Sequence, residues 1–232
     1  MADIPSIMRY YFALTNFCNR TCDFCCCSSG PNKKAFLPFE ELKNVLREES
    51  YEIQLEGGEP TLHPDFYKIV EYASSDDRCK KIILCTNGTT VPKDINIWLK
   101  KFSFKPFVLK PSINSHLIKK DKSHVSKMVL LKDAFIKYPW RFESKLIFNV
   151  RRIPKPLSKD GEEWITKLIK ENGLEEFSNN WEFQRYGRGA KEGGLSLPFV
   201  VENPISFKLI SPDGKDFNCD LIKRALHMET LK

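Results

Sequence analysis

Five of the eight cysteines fall within residues 18–27, Cys-Asn-Arg-Thr-Cys-Asp-Phe-Cys-Cys-Cys, and thiols at that density point first to metal chemistry. The spacing separates the candidates. A structural zinc site takes four ligands, usually as two Cys-x-x-Cys pairs from separate segments. No second pair, and no Cys/His pair, follows downstream. Three thiolates on one short loop, Cys18, Cys22 and Cys25, suit an iron–sulfur cluster better. Such clusters are held by cysteine thiolates, normally four, so a set of three leaves one iron open to a substrate or cofactor. A shifted register that pairs Cys22 with Cys26 is a second way to choose the ligands.

Thirty residues further on comes Gly57-Gly58-Glu59-Pro60, extended as Thr61-Leu62-His63-Pro64. This stretch and the Cys-x-x-x-Cys-x-aromatic-Cys of Cys18, Cys22, Phe24 and Cys25 resemble the two motifs of the radical S-adenosylmethionine (radical SAM) enzymes. The two matches together are far more specific than either alone. The resemblance implies an oxidoreductase with a [4Fe-4S] cluster on Cys18, Cys22 and Cys25, whose open iron is chelated by the amino and carboxylate groups of S-adenosylmethionine. One electron passed into the sulfonium would release methionine and a 5′-deoxyadenosyl radical, which takes hydrogen from a substrate. A reductant such as flavodoxin or ferredoxin is the implied partner.

Further roles follow from the same resemblance. Phe24 is expected near the adenine, and Gly57 and Gly58 are expected to let the backbone approach the cofactor. Glu59 would fix the methionine amino group, with Pro60 and Asn87 in the same cofactor-binding set. Ser112 is a candidate ribose contact, and Asn149, Arg185 and Arg188 are candidates for ribose and carboxylate contacts.

These residues must be positioned by regular elements. Strands are expected over residues 8–15, 51–56, 81–86, 107–112, 145–150 and 181–186, separated by helices over 38–50, 64–74, 92–102 and 123–138. A further helix, with Asp160 and Glu163 as a capping box, is expected to stop at Gly173. Strands alternating with helices give right-handed βαβ units and a parallel sheet. Six such units make a partial (β/α)6 TIM-type barrel, since a full eight-unit barrel typically needs about 250 residues. The cysteine loop, the Gly-Gly-Glu-Pro and Asn87 each follow a strand, so all should meet at the C-terminal rim where parallel barrels place their chemistry.

Residues 1–200 read as this core, and residues 201–232 as a C-terminal appendage of β-hairpin and helix around Ser211-Pro212-Asp213-Gly214. The hairpin resembles the start of a SPASM or twitch extension, with Cys219 at the first ligand position. No cysteine follows it, so no auxiliary cluster is expected from this segment alone.

Composition sets outer limits. A hydrophobic content of 41% over 232 residues suffices for a full core. No run of about eighteen apolar residues occurs, and residues 1–5 lack the features of a signal peptide, so a cytoplasmic protein with free thiols and no membrane partner is expected. The net charge of +7 admits an anionic partner. Lys119, Lys120, Lys122, Lys127, Arg151, Arg152, Lys155 and Lys159 would gather at the rim. Cys79 and Cys85 read as small apolar residues, and His63 as a structural hydrogen bonder. Phe102, Phe104 and Phe107 alternate with lysines in a way that suits nucleic-acid stacking, but packing is the better expectation. The motifs resemble the branch of peptide-modifying maturases and molybdenum-cofactor-type cyclases. Modification of a ribosomally made peptide with an anionic segment is therefore the leading reading, with RNA or a phosphorylated metabolite as alternative substrates. A non-catalytic iron–sulfur or zinc binding module is the alternative of another class.

Overall fold

Apolar residues recur at every second position along the strands, so each strand turns one row of side chains toward the helices and the other row inward. The outer row includes Tyr10, Phe12, Leu14, Ile53, Leu55, Ile82, Leu84, Leu109, Ile113, Phe148 and Val150, all buried in one continuous apolar cluster with the helices. The computed structural model describes residues 7–153, 162–182, 187–190 and 206–232. Within them the chain runs β1 (Met8–Thr15), α1 (Phe39–Val45), β2 (Tyr51–Gly57), α2 (Phe66–Ser75), β3 (Cys79–Thr86), α3 (Ile95–Lys100), β4 (Phe107–Asn114) and α4 (Ser115–Lys120). It continues with α5 (His124–Lys137), β5 (Lys145–Leu146), β6 (Phe148–Arg152), α6 (Glu163–Glu171), β7 (Ser178–Glu182), β8 (Phe207–Ile210) and α7 (Leu221–Thr230).

The sheet order is β7-β6-β4-β3-β2-β1-β8, with β5 also beside β4, and every strand pairs in parallel. This is the open parallel α/β barrel that the alternating pattern predicts. Among the described residues it does not close between β7 and β8. From β1 to β7 the strands add to the sheet in chain order, as successive right-handed βαβ connections do, and β8 returns to the free side of β1.

Several boundaries differ from the sequence reading. The expected fifth strand is broken at Ile147, whose amide still donates to Leu109 O (2.9 Å), so β5 and β6 pair with successive parts of β4. The sixth strand begins three residues early, at Ser178, and residues 183–186 lie outside the described part. Helix α4 was not anticipated. Its start is capped by Asn114, whose Oδ1 accepts from Leu117 N (2.9 Å). Asp160 of the expected capping box lies outside the described residues; α6 starts after Glu162, which instead turns its Oε2 to Ile153 N (2.8 Å). Phe102 and Phe107 stack within the core at 4.4 Å between ring centres, while Phe104 is exposed. Packing thus accounts for two of the three phenylalanines.

The tail is drawn into the sheet. β8 pairs with β1 from Arg9↔Phe207 to Phe12↔Ile210, and the chain then turns at Ser211 to form one antiparallel bridge, Ile210↔Asp216. After this abbreviated hairpin, Asp220 caps α7 by accepting from Lys223 N (2.9 Å). Because β8 runs in the same sense as β1, α7 emerges at the C-terminal rim. At the opposite end the buried Glu52 binds both Arg9 (2.5 Å) and Lys81 (2.9 Å), which closes the floor with a paired charge. No helix of the described residues is long and apolar enough to cross a membrane.

Candidate active site

The cysteine loop leaves β1 through Thr15 and Asn16, two fully buried polar residues. Thr15 Oγ1 donates to Ala35 O (2.7 Å) and accepts from Phe17 N (2.8 Å). Asn16 accepts from Ala35 N (2.9 Å) through Oδ1. These bonds fasten both ends of the loop, which rejoins the barrel at Phe36 by a bridge to Thr15.

The Gly-Gly-Glu-Pro stretch then packs beneath the loop. Gly58 N donates to Thr15 O (2.6 Å) and Glu59 N to Phe17 O (2.9 Å). A Cβ on Gly58 would stand 2.0 Å from Phe17 O, and Gly57 adopts φ +123°, so side chains are excluded here by the backbone of the cysteine loop itself. Glu59 is fully buried. Its Oε1 accepts from Thr61 N (3.3 Å), Thr61 Oγ1 (2.5 Å) and Thr86 Oγ1 (2.7 Å), and its Oε2 from Asn87 N (2.6 Å). Burial raises its pKa above the ordinary carboxylate value, and those four donors work in the opposite direction. The carboxylate therefore ties the end of β2 to the end of β3.

Asn87 carries the connection to the cysteines. Its Nδ2 donates to Asn19 Oδ1 (2.9 Å) and lies 3.6 Å from Cys18 Sγ. On the other side Arg188 clamps the loop. Its backbone N donates to Cys25 O (2.9 Å), its Nε to Cys22 O (2.9 Å) and its Nη2 to Ser29 O (2.6 Å). Gly187, at φ +60°, allows this approach, since a Cβ there would meet Cys26 O at 2.5 Å. The Arg188 guanidinium is thus engaged by the carbonyls of the cysteine loop.

The three thiols lie close enough to act on one another electrostatically. Burial, joined by the neighbouring Glu59 and Cys25 charges, raises Cys18 to about 11, and burial joined by Cys25 and Cys18 raises Cys22 to about 12. Cys25, also pushed up by burial, accepts from Ser29 N (3.4 Å). All eight cysteines are free thiols. Among the described residues no three His, Cys, Asp or Glu side chains are gathered closely enough to hold a single metal ion. Three thiols on one pinned loop, with the Ser29 amide directed at Cys25 Sγ and the Asn87 NH2 at Cys18 Sγ, are a donor set whose chemistry fits a multinuclear cluster.

The remaining candidates divide. Ser112 and Asn149 stand opposite each other on β4 and β6, both half-buried on the inward row. Pro60 is buried behind Glu59, and Phe24 is half-buried on the loop. Arg185, Lys155 and Lys159 lie outside the described residues. Cys26 and Cys27 lie with their sulfurs 3.8 Å apart, and Cys27 packs with Ala13 and Met228. Cys79 is a buried strand residue, whereas Cys85 lies on the inward row. His63 is buried with Nε2 donating to Leu37 O (3.0 Å) and Nδ1 accepting from Asp65 N (3.0 Å), a structural hydrogen bonder. Sequence reading missed Thr15, Asn16 and the pair Glu56–Arg224, whose oxygen and nitrogen are 2.6 Å apart. Two polar residues directly between an apolar strand and the first cysteine were the available signal for the first two. Nothing local marked the third, because its partners are 168 residues apart.

Fold and site together define an open parallel α/β barrel with a three-cysteine loop on its C-terminal rim. Residues 12–104 match the family model described as the radical SAM superfamily. Over 100 residues the chain is 34% identical to a GTP 3′,8-cyclase of Pasteurella multocida, a match covering 39% of this chain and 30% of that protein. A GTP 3′,8-cyclase of Mannheimia succiniciproducens is 35% identical over 102 residues, 40% of this chain and 30% of the relative. The chain therefore matches about a third of the length of these relatives. In fold it is similar to Streptococcus suis SuiB bound to precursor peptide SuiA, with TM-score 0.59, 12% identity and coverage of 98% of this chain and 62% of the other. SuiB bound to S-adenosylmethionine gives TM-score 0.54 at 13% identity, covering 92% and 58%.

Proposed function

We propose that this chain is a radical SAM enzyme that abstracts hydrogen from a substrate held inside the barrel. The observation that carries the reading is the convergence of Cys18, Cys22 and Cys25 on a loop pinned by Gly58, Glu59, Asn87 and Arg188. A [4Fe-4S] cluster bound by the three thiolates would supply one electron for cleavage of the S-adenosylmethionine sulfonium, drawn from a reductant such as flavodoxin or ferredoxin. The protein's own residues do the positioning. Gly58 and Glu59 fix the height of the loop, Asn87 directs an N–H at Cys18, and Arg188 holds the carbonyls of Cys22 and Ser29 while its charge favours the Cys22 and Cys25 thiolates. Ser112, Asn149 and Arg185 are kept as candidate ribose and carboxylate contacts, and Phe24 as the adenine neighbour. Residues 201–232 remain in this reading an appendage to the core, one whose first arm completes the sheet beside β1.

For the substrate, a ribosomally made peptide is supported only by the likeness in fold to a protein crystallised with its precursor peptide. A small molecule bearing an anionic group is the second reading. It is favoured by the sequence likeness to GTP 3′,8-cyclases and by the half-buried Lys110 and Arg151 of the inward row, which make no ion pair among the described residues. The test of the radical SAM reading is spectroscopic. After anaerobic reconstitution and reduction, the electron paramagnetic resonance signal of the cluster should change shape when S-adenosylmethionine is added. An unchanged signal would mean that the open iron does not take the cofactor.

A further inference from the structure

The inward row of the sheet holds carboxylates that are already paired. Glu52 binds Arg9 and Lys81 at the floor, and Glu56, higher up, binds Arg224 from α7. Lys110 on β4 and Arg151 on β6 are left over. Among the described residues neither makes an ion pair or a side-chain hydrogen bond, although both are half-buried. A partly desolvated cation without a partner is costly, and such a position is kept where a ligand supplies the opposite charge.

Their placement narrows the ligand. Lys110 lies two residues below Ser112 on the same row of β4, and Arg151 two residues above Asn149 on the same row of β6. The two cations therefore bracket the Ser112–Asn149 level from floor and mouth. Cys85 on β3 is in register with Lys110, and both cations lie close enough to its thiol to act on it electrostatically. Arg151 acts likewise on the Cys26 thiol of the rim loop, so its charge is felt at both levels of the barrel. A point charge below and a planar fork above suit an anion with several oxygens.

We propose that Lys110 and Arg151 form a subsite inside the barrel for an oxyanion of the substrate, a phosphate or a carboxylate. The inference deepens the radical SAM reading and rests on it for the chemistry above the subsite, but oxyanion binding itself requires no cluster.

The test is titration calorimetry on the full chain, with and without reconstitution, using inorganic pyrophosphate in one arm and succinate in the other. The proteins compared are wild type, Lys110→Met, Arg151→Met, the charge-keeping Lys110→Arg, and a Lys119→Met/Lys120→Met double variant of the exposed rim. Wild type should bind one equivalent, and the stronger probe identifies the oxyanion. Each methionine substitution in the barrel should weaken binding about tenfold or more, the loss expected for one charge-assisted bond. Lys110→Arg should recover most of it, and the rim variant should bind as wild type does. Absence of binding by wild type, equal binding by all variants, or loss confined to the rim variant would overturn the proposal. So would a Lys110→Met protein that loses S-adenosylmethionine but keeps pyrophosphate, because the lysine would then serve the cofactor. Pyrophosphate binding by a wild-type protein that fails to take up S-adenosylmethionine would sink the radical reading alone.

Discussion

At the scale of single residues, the loop gives each cysteine a distinct expectation. Replacing Cys18, Cys22 or Cys25 by Ala should abolish the visible absorption of the reconstituted cluster, whereas Cys26→Ala, Cys85→Ala and Cys219→Ala should retain it. Retention by Cys22→Ala with loss by Cys26→Ala would establish the shifted register instead. Gly58→Ala places a methyl against Phe17 O, so it should cost about 2 kcal/mol or more and reduce cluster occupancy, read by thermal melting and iron content. The cysteines and the Gly-Gly-Glu-Pro were legible because their spacing is local. What Glu59 and Arg188 touch was not, since those partners are fixed only when the ends of β2 and β3 and residues 187–190 are brought to one rim.

At the scale of elements, the inside-outside alternation was legible wherever a strand was long. It failed where tertiary pairing overrides local pattern: β5 and β6 are separated beside Lys110-Pro111 of β4, where proline has no N–H to give the ladder, and α4 rests on the single cap of Asn114. The end of α2 offers a test in pH. Arg78 binds the Asp76 carboxylate at 2.7 Å, Tyr51 donates to it at 2.8 Å, and these bonds hold its pKa down to about 2. A carboxyl whose pKa is lower folded than unfolded (about 3.9) stabilises the protein fully above the unfolded value, and the stabilisation is lost as pH falls toward the folded one. Arg78 is 40% exposed, so solvent screening reduces the contribution to about 1 kcal/mol. Asp76→Asn should therefore lower the melting temperature at pH 7 but have a vanishing effect near pH 2, measured by circular dichroism. An equal deficit at both pH values would assign the effect to packing.

At the scale of the molecule, the C-terminal segment does more than end the sheet. Helix α7 lies over the rim, with Asn16 donating to Leu231 O (3.1 Å), Ser28 to Glu229 Oε1 (2.8 Å) and Lys33 to Leu231 O (2.7 Å). Arg224 enters the barrel to meet Glu56. Removing one member of a buried ion pair strands the other, so Glu56→Gln should destabilise by about 3–5 kcal/mol and loosen the cysteine loop with it. The joint substitution Glu56→Gln/Arg224→Met should restore part of the loss, read by chemical denaturation. That the tail was a hairpin and helix could be read from Ser211-Pro212-Asp213-Gly214. Its parallel seat beside β1 depends on a register between segments some 200 residues apart, which no local pattern encodes. The central claim, that the three cysteines support reductive cleavage of S-adenosylmethionine, is tested most directly under anaerobic conditions. The chain is reconstituted with iron and sulfide, supplied with dithionite and S-adenosylmethionine, and assayed for 5′-deoxyadenosine beside a Cys22→Ala control. Product that disappears in the control is the predicted result; no product from a wild-type protein carrying a full four-iron cluster would contradict it.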